Sequence, residues 1–143
     1  MFYKNKKLLI DNLEVDKIIK QFGTPLYCYS YDQLKINISK FKGYFNEVNP
    51  LICFAVKANN NLRILSEIAR LGLGADVVSK GELMVALKSK IKPNKIVFSG
   101  VGKTSDEIEY AAKKNILLIN AESQSEINVI SKVAKKINRR INI

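Results

Sequence analysis

The sequence contains no histidine and only two cysteines, and these scarcities exclude several kinds of site. Without histidine the chain holds no Ser-His or Cys-His pair and no His-ligated zinc. The two cysteines, Cys28 and Cys53, are too few for a zinc ribbon or a disulfide framework. Because both stand in apolar stretches, we expect buried free thiols in a reducing compartment.

Long hydrophobic runs are also missing. The apolar run Leu8–Ile10 ends at Asp11, which is far too short for the core of a signal peptide. No other stretch has enough consecutive apolar residues to cross a bilayer. Hydrophobic residues nevertheless make up 47% of the chain, which excludes a largely disordered protein. We expect a cytoplasmic protein with no membrane partner.

Acidic residues are few relative to basic ones, 13 against 24, and the formal net charge is +11. Such a charge suits a small protein that binds RNA or DNA. The basic residues are spread evenly, however, with eight in each of the ranges 1–50, 51–100 and 101–143. An even spread is typical of solvated helix faces. We therefore expect no nucleic-acid partner, and salt-sensitive retention of nucleic acid would favour the alternative.

From residue 51 onward, apolar runs alternate with amphipathic segments at the length of one strand-plus-helix unit. The runs predict strands at Leu51–Val56, Gly74–Val78, Ile96–Phe98, Ile116–Ile119 and Ile141–Ile143. Helix starts are marked by three patterns of the capping-box type, Ser79-x-x-Glu82, Thr104-x-x-Glu107 and Ser123-x-x-Glu126. Before residue 51 we predict a short strand at 26–29 and a helix at 32–45.

Unbroken apolar strands separated by helices predict an α/β fold with a parallel sheet. The pattern itself does not separate an open sheet from a barrel. In both, polar groups that carry chemistry gather at the carboxyl ends of the strands. Those positions here are Lys57, Asp76, Ser99 and Asn120, which would line one rim.

Lys57 is the most informative of these residues, because it follows an apolar strand. Buried surroundings lower the pKa of a lysine, as a nucleophilic amine requires; the alternative is a lysine that reaches past the strand end into water. Asp76 could orient a neighbouring cation or simply cap a loop. Glu82 fits a capping box, although a helix start at the rim could also contact an anionic group.

The segment Gly100–Thr104 is similar to the end of a phosphate-binding P-loop. The complete pattern requires a glycine five residues before Gly102, and Val97 stands there. The nucleotide-binding interpretation therefore fails, and the glycines predict a tight turn from strand to helix.

Four segments carry a resemblance to a known family: FGTPLYCYS at 22–30, FAVKAN at 54–59, GLGADVVSKGEL at 72–83 and FSGVGKT at 98–104. In order and spacing they resemble the pyridoxal-phosphate-dependent decarboxylases of fold type III, the alanine-racemase-like barrels. The similarity is greater to members that act on meso-diaminopimelate than to those that act on ornithine, arginine or carboxynorspermidine. Those other substrates remain the alternatives.

The resemblance implies that Lys57 holds pyridoxal phosphate as a Schiff base, with Asp76 in a supporting role and Glu82 and Ser99 as further cofactor-binding residues. It implies decarboxylation of meso-diaminopimelate to L-lysine and CO2 by a homodimer. The expected fold is about the first half of a TIM (β/α)8 barrel, over residues 31–143. Residues 1–30 would form a leading segment that belongs with a C-terminal β domain.

The resemblance also has departures. Lys80 stands where many members carry glycine, and the family's histidine, glycine-rich phosphate loop and dimer-interface segments lie beyond the matched region. We therefore expect this portion alone to be inactive.

Overall fold

The computed structural model describes residues 1–45 and 47–143. The chain divides into two compact units, Met1–Pro50 and Leu51–Ile143. This division falls later than the boundary after residue 30 expected from the sequence, and the assignment of residues 31–50 to a barrel stays a prediction.

The first unit begins with a three-stranded antiparallel sheet, formed by β1 (Phe2–Lys4), β2 (Lys7–Ile10) and β3 (Leu13–Glu14). Both connections have two residues with positive φ, Asn5-Lys6 and Asp11-Asn12, which is the geometry of tight hairpin turns. Two helices follow, α1 (Val15–Phe22) and α2 (Tyr31–Gly43). The Asp11 carboxylate accepts hydrogen bonds from the Ser30 hydroxyl and the Tyr31 N–H, so it ties the second hairpin turn to the start of α2.

The structure confirms the helix predicted at 32–45, as α2, but not the strand predicted at 26–29. Leu26–Tyr29 is irregular, and most of its side chains are exposed. A strand needs a neighbour to pair its backbone groups, and the sheet described in this unit consists of β1, β2 and β3 without this segment. The aromatic residues of this segment are typical of a strand, but the described segment is not part of a sheet.

The second unit contains four parallel strands, β4 (Cys53–Ala55), β5 (Gly74–Val77), β6 (Ile96–Phe98) and β7 (Leu118–Ile119). Helices α3 (Leu62–Arg70), α4 (Lys80–Lys88), α5 (Ser105–Lys113) and α6 (Gln124–Ile137) follow them in strict alternation. The spatial order β4-β5-β6-β7 is the chain order. Each strand-helix pair adds its strand beside the previous one, as in successive strand-helix pairs of a (β/α)8 barrel. The predicted α/β partial barrel is confirmed.

The fifth apolar run differs from the prediction. Within the described chain, residues 141–143 form no strand. The carbonyl of Asn142 accepts a hydrogen bond from the N–H of Ile119 at 2.9 Å, so this segment runs beside β7 without a complete ladder.

The core of the second unit lies between the sheet and one face of each helix. Every helix of this unit buries two apolar side chains three residues apart, which is the spacing of one helical stripe. These pairs are Leu65 and Ile68, Leu83 and Ala86, Ile108 and Ala111, and Ile130 and Val133. The strands contribute residues that are themselves fully buried, among them Ala75, Val77, Ile96, Phe98 and Ile119.

The expected burial of both thiols is wrong for Cys28, which is exposed in the irregular segment before α2. Cys53, in β4, is half-buried, and both cysteines are free. Among residues 1–45 and 47–143, no helix is long and apolar enough to cross a membrane.

Candidate functional site

The carboxyl ends of β4–β7 form the rim that the sequence predicts. Lys57 lies in a short 3-10 helix of one turn, Val56–Ala58, directly after β4. Val56 is fully buried and fixes the turn against the core, whereas Lys57 itself is exposed. The sequence predicts buried surroundings for Lys57, but burial stops at the preceding residue, Val56. Within this chain the structure presents the lysine amine outward, accessible to a ligand at the rim.

The next three strands carry a hydrogen-bonded network at the same rim as Lys57. In the register of β4 and β5, Asp76 pairs with Ala55. The hydroxyl of Ser99 donates to Asp76 Oδ1 at 2.5 Å, and the side-chain amide of Asn120 donates to Ser99 Oγ at 2.9 Å. These three residues stand at the ends of β5, β6 and β7. We refer to them as the Asp76–Ser99–Asn120 network.

The donors and acceptors of the two hydrogen bonds fix where the Ser99 proton lies. Because the Asn120 amide already donates to the Ser99 oxygen, the single Ser99 proton is turned toward Asp76. The Asp76 carboxylate is thereby held in one orientation at the rim. The structure brings together Asp76 and Ser99 of the predicted site residues. Lys57 and Glu82 share the rim and lie outside this network in the described part of the chain.

Glu82 has a structural partner. The Ser79 hydroxyl accepts from the N–H of Glu82 at 3.2 Å and caps α4, as predicted. The Glu82 carboxylate accepts from the N–H of Val78 at 2.9 Å, one residue before the cap. The return bond to the cap residue, which defines a capping box, is thus replaced by one that holds the loop between β5 and α4.

The other two predicted capping boxes differ from each other. At α5 the box is complete, since the Thr104 hydroxyl accepts from the N–H of Glu107 and the Glu107 carboxylate accepts from the N–H of Thr104. At α6 the Ser123 hydroxyl caps the helix, but the Glu126 carboxylate accepts from the N–H of Glu122. Glu107 also accepts from the N–H of Lys80, so it connects the starts of α4 and α5.

Sequence reasoning missed Lys103, whose ammonium is buried under the rim. Its side chain is 1% exposed. The ammonium donates to the carbonyls of Gly100 and Asn120 at 2.6 and 2.7 Å and to Glu126 Oε1 at 3.1 Å. The only signal was its place in the glycine-rich turn, which suggested a phosphate and not an internal clamp. Gly100 and Gly102, with φ of 91° and 76°, form the turn that points the lysine inward.

Two carboxylates in the first turns of α5 and α6 have pKa values that hydrogen bonds and charge lower. Burial alone would raise the pKa of Glu126, but the N–H of Glu122 and the Lys103 ammonium outweigh it and lower that pKa. The N–H groups of Lys80 and Thr104 lower the pKa of Glu107. On the neighbouring strand, burial and then the Asp76 charge raise the pKa of the Cys53 thiol.

This arrangement has known counterparts. The pyridoxal binding domain of the pyridoxal-dependent decarboxylases matches residues 11–143 of the chain. The chain belongs to this family. Among curated relatives, the diaminopimelate decarboxylase of Helicobacter pylori strain J99 is 48% identical over 85% of this chain and 30% of its own length. The diaminopimelate decarboxylase of Aquifex aeolicus is 39% identical over 99% of this chain and 33% of its own length. The chain thus spans about a third of the relatives it matches.

Solved structures agree with this family assignment. Diaminopimelate decarboxylase from M. jannaschii, in complex with L-lysine, superposes with a TM-score of 0.90 at 39% identity, covering 96% of this chain and 33% of that one. The Helicobacter pylori enzyme with L-lysine gives a TM-score of 0.87 at 44% identity, covering 90% and 32%. An arginine decarboxylase from Paramecium bursaria Chlorella virus shares the fold, with a TM-score of 0.74 at 22% identity, covering 83% of this chain and 33% of that one.

The family's cofactor is pyridoxal phosphate, and the rim has donors that fit it. Lys57 offers an exposed primary amine, the group that bonds to an aldehyde carbon. Asp76 offers a carboxylate held in place by Ser99 on the next strand. An amine and an oriented carboxylate at the carboxyl end of a barrel are suited to such a group.

Proposed function

We propose that the complete protein containing this chain decarboxylates meso-diaminopimelate to L-lysine and CO2, with pyridoxal phosphate bound at the rim. The observation that carries the proposal is the exposed Lys57 amine at the end of β4, at the same rim as the oriented Asp76 carboxylate of β5. The substrate class rests on the relatives named diaminopimelate decarboxylase and on the two structures of such enzymes with L-lysine. A cytoplasmic homodimer without nucleic-acid or membrane partners completes the proposal. The dimer rests on the family resemblance, and the other parts rest on the even spread of basic residues and the short apolar runs.

Each rim residue has a part in this chemistry. Lys57 would hold the cofactor covalently through its amine and release it when the substrate amine takes its place. Bound pyridoxal phosphate supplies an electron sink for the electron pair left on carbon when CO2 departs. Lys57 Nζ, once released at the rim, is placed to carry a proton. Asp76 would fix a cationic partner at the rim, and Ser99 would keep its carboxylate turned the same way.

Glu82 contributes through the backbone. By accepting from the N–H of Val78 it holds the loop between β5 and α4. The start of α4, capped by Ser79, then presents its N-terminal end to the same space. Such an end favours an anionic group, which supports Glu82 as a cofactor-binding position through the loop it holds; Ser99 would contribute through Asp76.

The decisive experiment is borohydride reduction of the complete protein in the presence of pyridoxal phosphate, followed by mapping of the labelled peptide. Label on the peptide that contains Lys57 is expected, and the variant Lys57→Ala should lose it. Lys92→Ala is the matched control, because Lys92 is an exposed lysine before β6, away from the strand ends. Retention of the label in Lys57→Ala would show that another residue holds the cofactor.

The 143-residue chain alone should release no useful amount of CO2 from meso-diaminopimelate. Its four parallel strands cannot close a barrel that needs eight. An assay of CO2 release from the purified chain tests this expectation, with the complete protein as the positive control. Robust release by the chain alone would overturn it.

A substrate panel on the complete protein tests the substrate. We expect meso-diaminopimelate to be turned over in preference to ornithine, arginine and carboxynorspermidine. Preference for any of the other three would keep the cofactor chemistry and replace the substrate. The more distant arginine decarboxylase shares the fold and lends no support to arginine.

A further inference from the structure

Lys103 connects three separate segments below the rim. Its ammonium donates to Gly100 in the loop after β6, to Asn120 after β7, and to Glu126 in the first turn of α6. With three donors and three acceptors, its hydrogen-bonding capacity is fully used. A buried lysine without such partners would be costly. The ammonium therefore fixes the spacing between the ends of β6 and β7.

Asn120 carries this fixation to the rim. Its carbonyl is held by Lys103 at 2.7 Å, while its side-chain amide donates to Ser99 at 2.9 Å. Ser99 in turn donates to Asp76. A continuous series of hydrogen bonds thus runs from the buried ammonium to the carboxylate on β5. Asn120 is exposed, and its backbone is held from both sides, by Lys103 at the carbonyl and by Phe98 O, which accepts from the Asn120 N–H at 2.9 Å.

We propose that Lys103 is a positioning residue that sets the orientation of the Asp76 carboxylate through Asn120 and Ser99. The inference rests on the proposed function in so far as Asp76 serves the bound cofactor. If Lys103 were only a stabilising contact, its loss would lower stability and leave Asp76 unchanged. A positioning role requires that Asp76 itself respond.

The test uses the complete protein and two readouts for each variant. The first is the 13C NMR signal of the Asp76 carboxyl carbon without cofactor, which responds to hydrogen bonding at the carboxylate. The second is the dissociation constant of pyridoxal phosphate together with the pH dependence of its absorbance. Ser99→Ala gives the reference shift for an Asp76 that has lost its donor. Ile108→Ala, in the core of α5, is the control for lost stability alone.

Lys103→Met is expected to move the Asp76 signal in the direction set by Ser99→Ala and to weaken cofactor binding about tenfold, which corresponds to about 1.4 kcal/mol. In the Ser99→Ala background the same substitution should add little, because its route to Asp76 is already broken. Ile108→Ala should leave the Asp76 signal and the absorbance profile unchanged.

Asn120→Ala keeps the carbonyl that Lys103 binds and removes only the link to Ser99. It should reproduce the Asp76 shift, and this expectation can be tested even if Lys103→Met fails to fold. A wild-type Asp76 signal in Asn120→Ala, or full additivity of Lys103→Met and Ser99→Ala, would overturn the proposal. A wild-type protein that binds no pyridoxal phosphate would instead refute the proposed function, and the NMR signal would still decide the role of Lys103.

Discussion

Gly74 packs directly beneath the carbonyl of Lys95, where the start of β5 passes the residue before β6. A Cβ at position 74 would lie 2.1 Å from Lys95 O and 2.9 Å from Cys53 Sγ. The first of these is a backbone atom, so it cannot rotate away. The close approach of β4, β5 and the entry to β6 thus depends on a residue without a side chain.

Gly74→Ala should lower the free energy of unfolding of the chain by at least about 1–3 kcal/mol, because the added methyl group forces the strands apart. Urea unfolding measures the loss. Gly81→Ala is the matched control: Gly81 lies in α4, where the nearest atom to an added Cβ is Ser79 Oγ at 3.8 Å. That variant should gain roughly 0.5–1 kcal/mol from helix propensity. Equal stability of Gly74→Ala and wild type would contradict the packing described.

Glu126→Gln should cost about 3 kcal/mol of unfolding free energy, because it leaves the buried Lys103 ammonium without a counter-charge. The Glu126 pKa is lowered in the folded chain, so its contribution is present above the ordinary carboxyl pKa and is lost as the pH falls. The difference between variant and wild type should therefore shrink in acid. Glu67→Gln, which breaks the exposed pair with Arg70, should cost below about 1 kcal/mol. Similar losses for both would argue against a buried pair.

Much of the second unit could be predicted from sequence because its signals are local. The strands at Gly74–Val77 and Ile96–Phe98 are short apolar runs, and the caps at Ser79, Thr104 and Ser123 need only their own helices. The pattern also placed Lys57, Asp76, Ser99 and Asn120 at one rim, since parallel strands carry their carboxyl ends to the same edge.

The features that the sequence did not reveal depend on partners distant along the chain. Lys103 is a surface residue by type, and it is buried only because Asn120 and Glu126 offer acceptors from β7 and α6. Glu82 and Glu126 bind the residue before the cap, a choice set by the loop and not by the box pattern. Leu26–Tyr29 has strand-like residues, yet among residues 1–45 and 47–143 it pairs with none of the strands.

Cys28 should react with iodoacetamide faster than Cys53 in the 143-residue chain. Cys28 is exposed, whereas burial and then the Asp76 charge raise the pKa of Cys53, and the thiolate is the reactive form. Peptide mass spectrometry over time gives both rates. In the Asp76→Asn variant the reaction of Cys53 should quicken while that of Cys28 stays the same. An unchanged reaction rate of Cys53 in that variant would show that the Asp76 charge does not raise the Cys53 pKa.

Glu109 connects α5 to α6, and its titration should be strongly shifted. Its carboxylate lies 2.6 Å from the Lys113 ammonium and 2.7 Å from that of Lys136. Hydrogen bonds from Lys113 and then Lys136 lower the Glu109 pKa to about 2. The Lys136 pKa is raised by the same contact. A lowered carboxyl pKa contributes stability above its ordinary value near 4.5, and this is lost as the pH falls toward about 2.

Glu109→Gln should therefore be less stable than wild type at neutral pH and indistinguishable from it near pH 2, as urea unfolding across that range would show. The 13C signal of the Glu109 carboxyl group gives the pKa directly. Lys113→Met should raise that pKa more than Lys136→Met, since the contact within α5 is the larger cause. Because the Lys136 pKa is raised, the stability that its contact with Glu109 contributes should be complete below pH 10.5. It should be lost as the pH rises further and the lysine loses its proton. A wild-type Glu109 that titrates near pH 4.5 would show that neither ammonium holds it in solution.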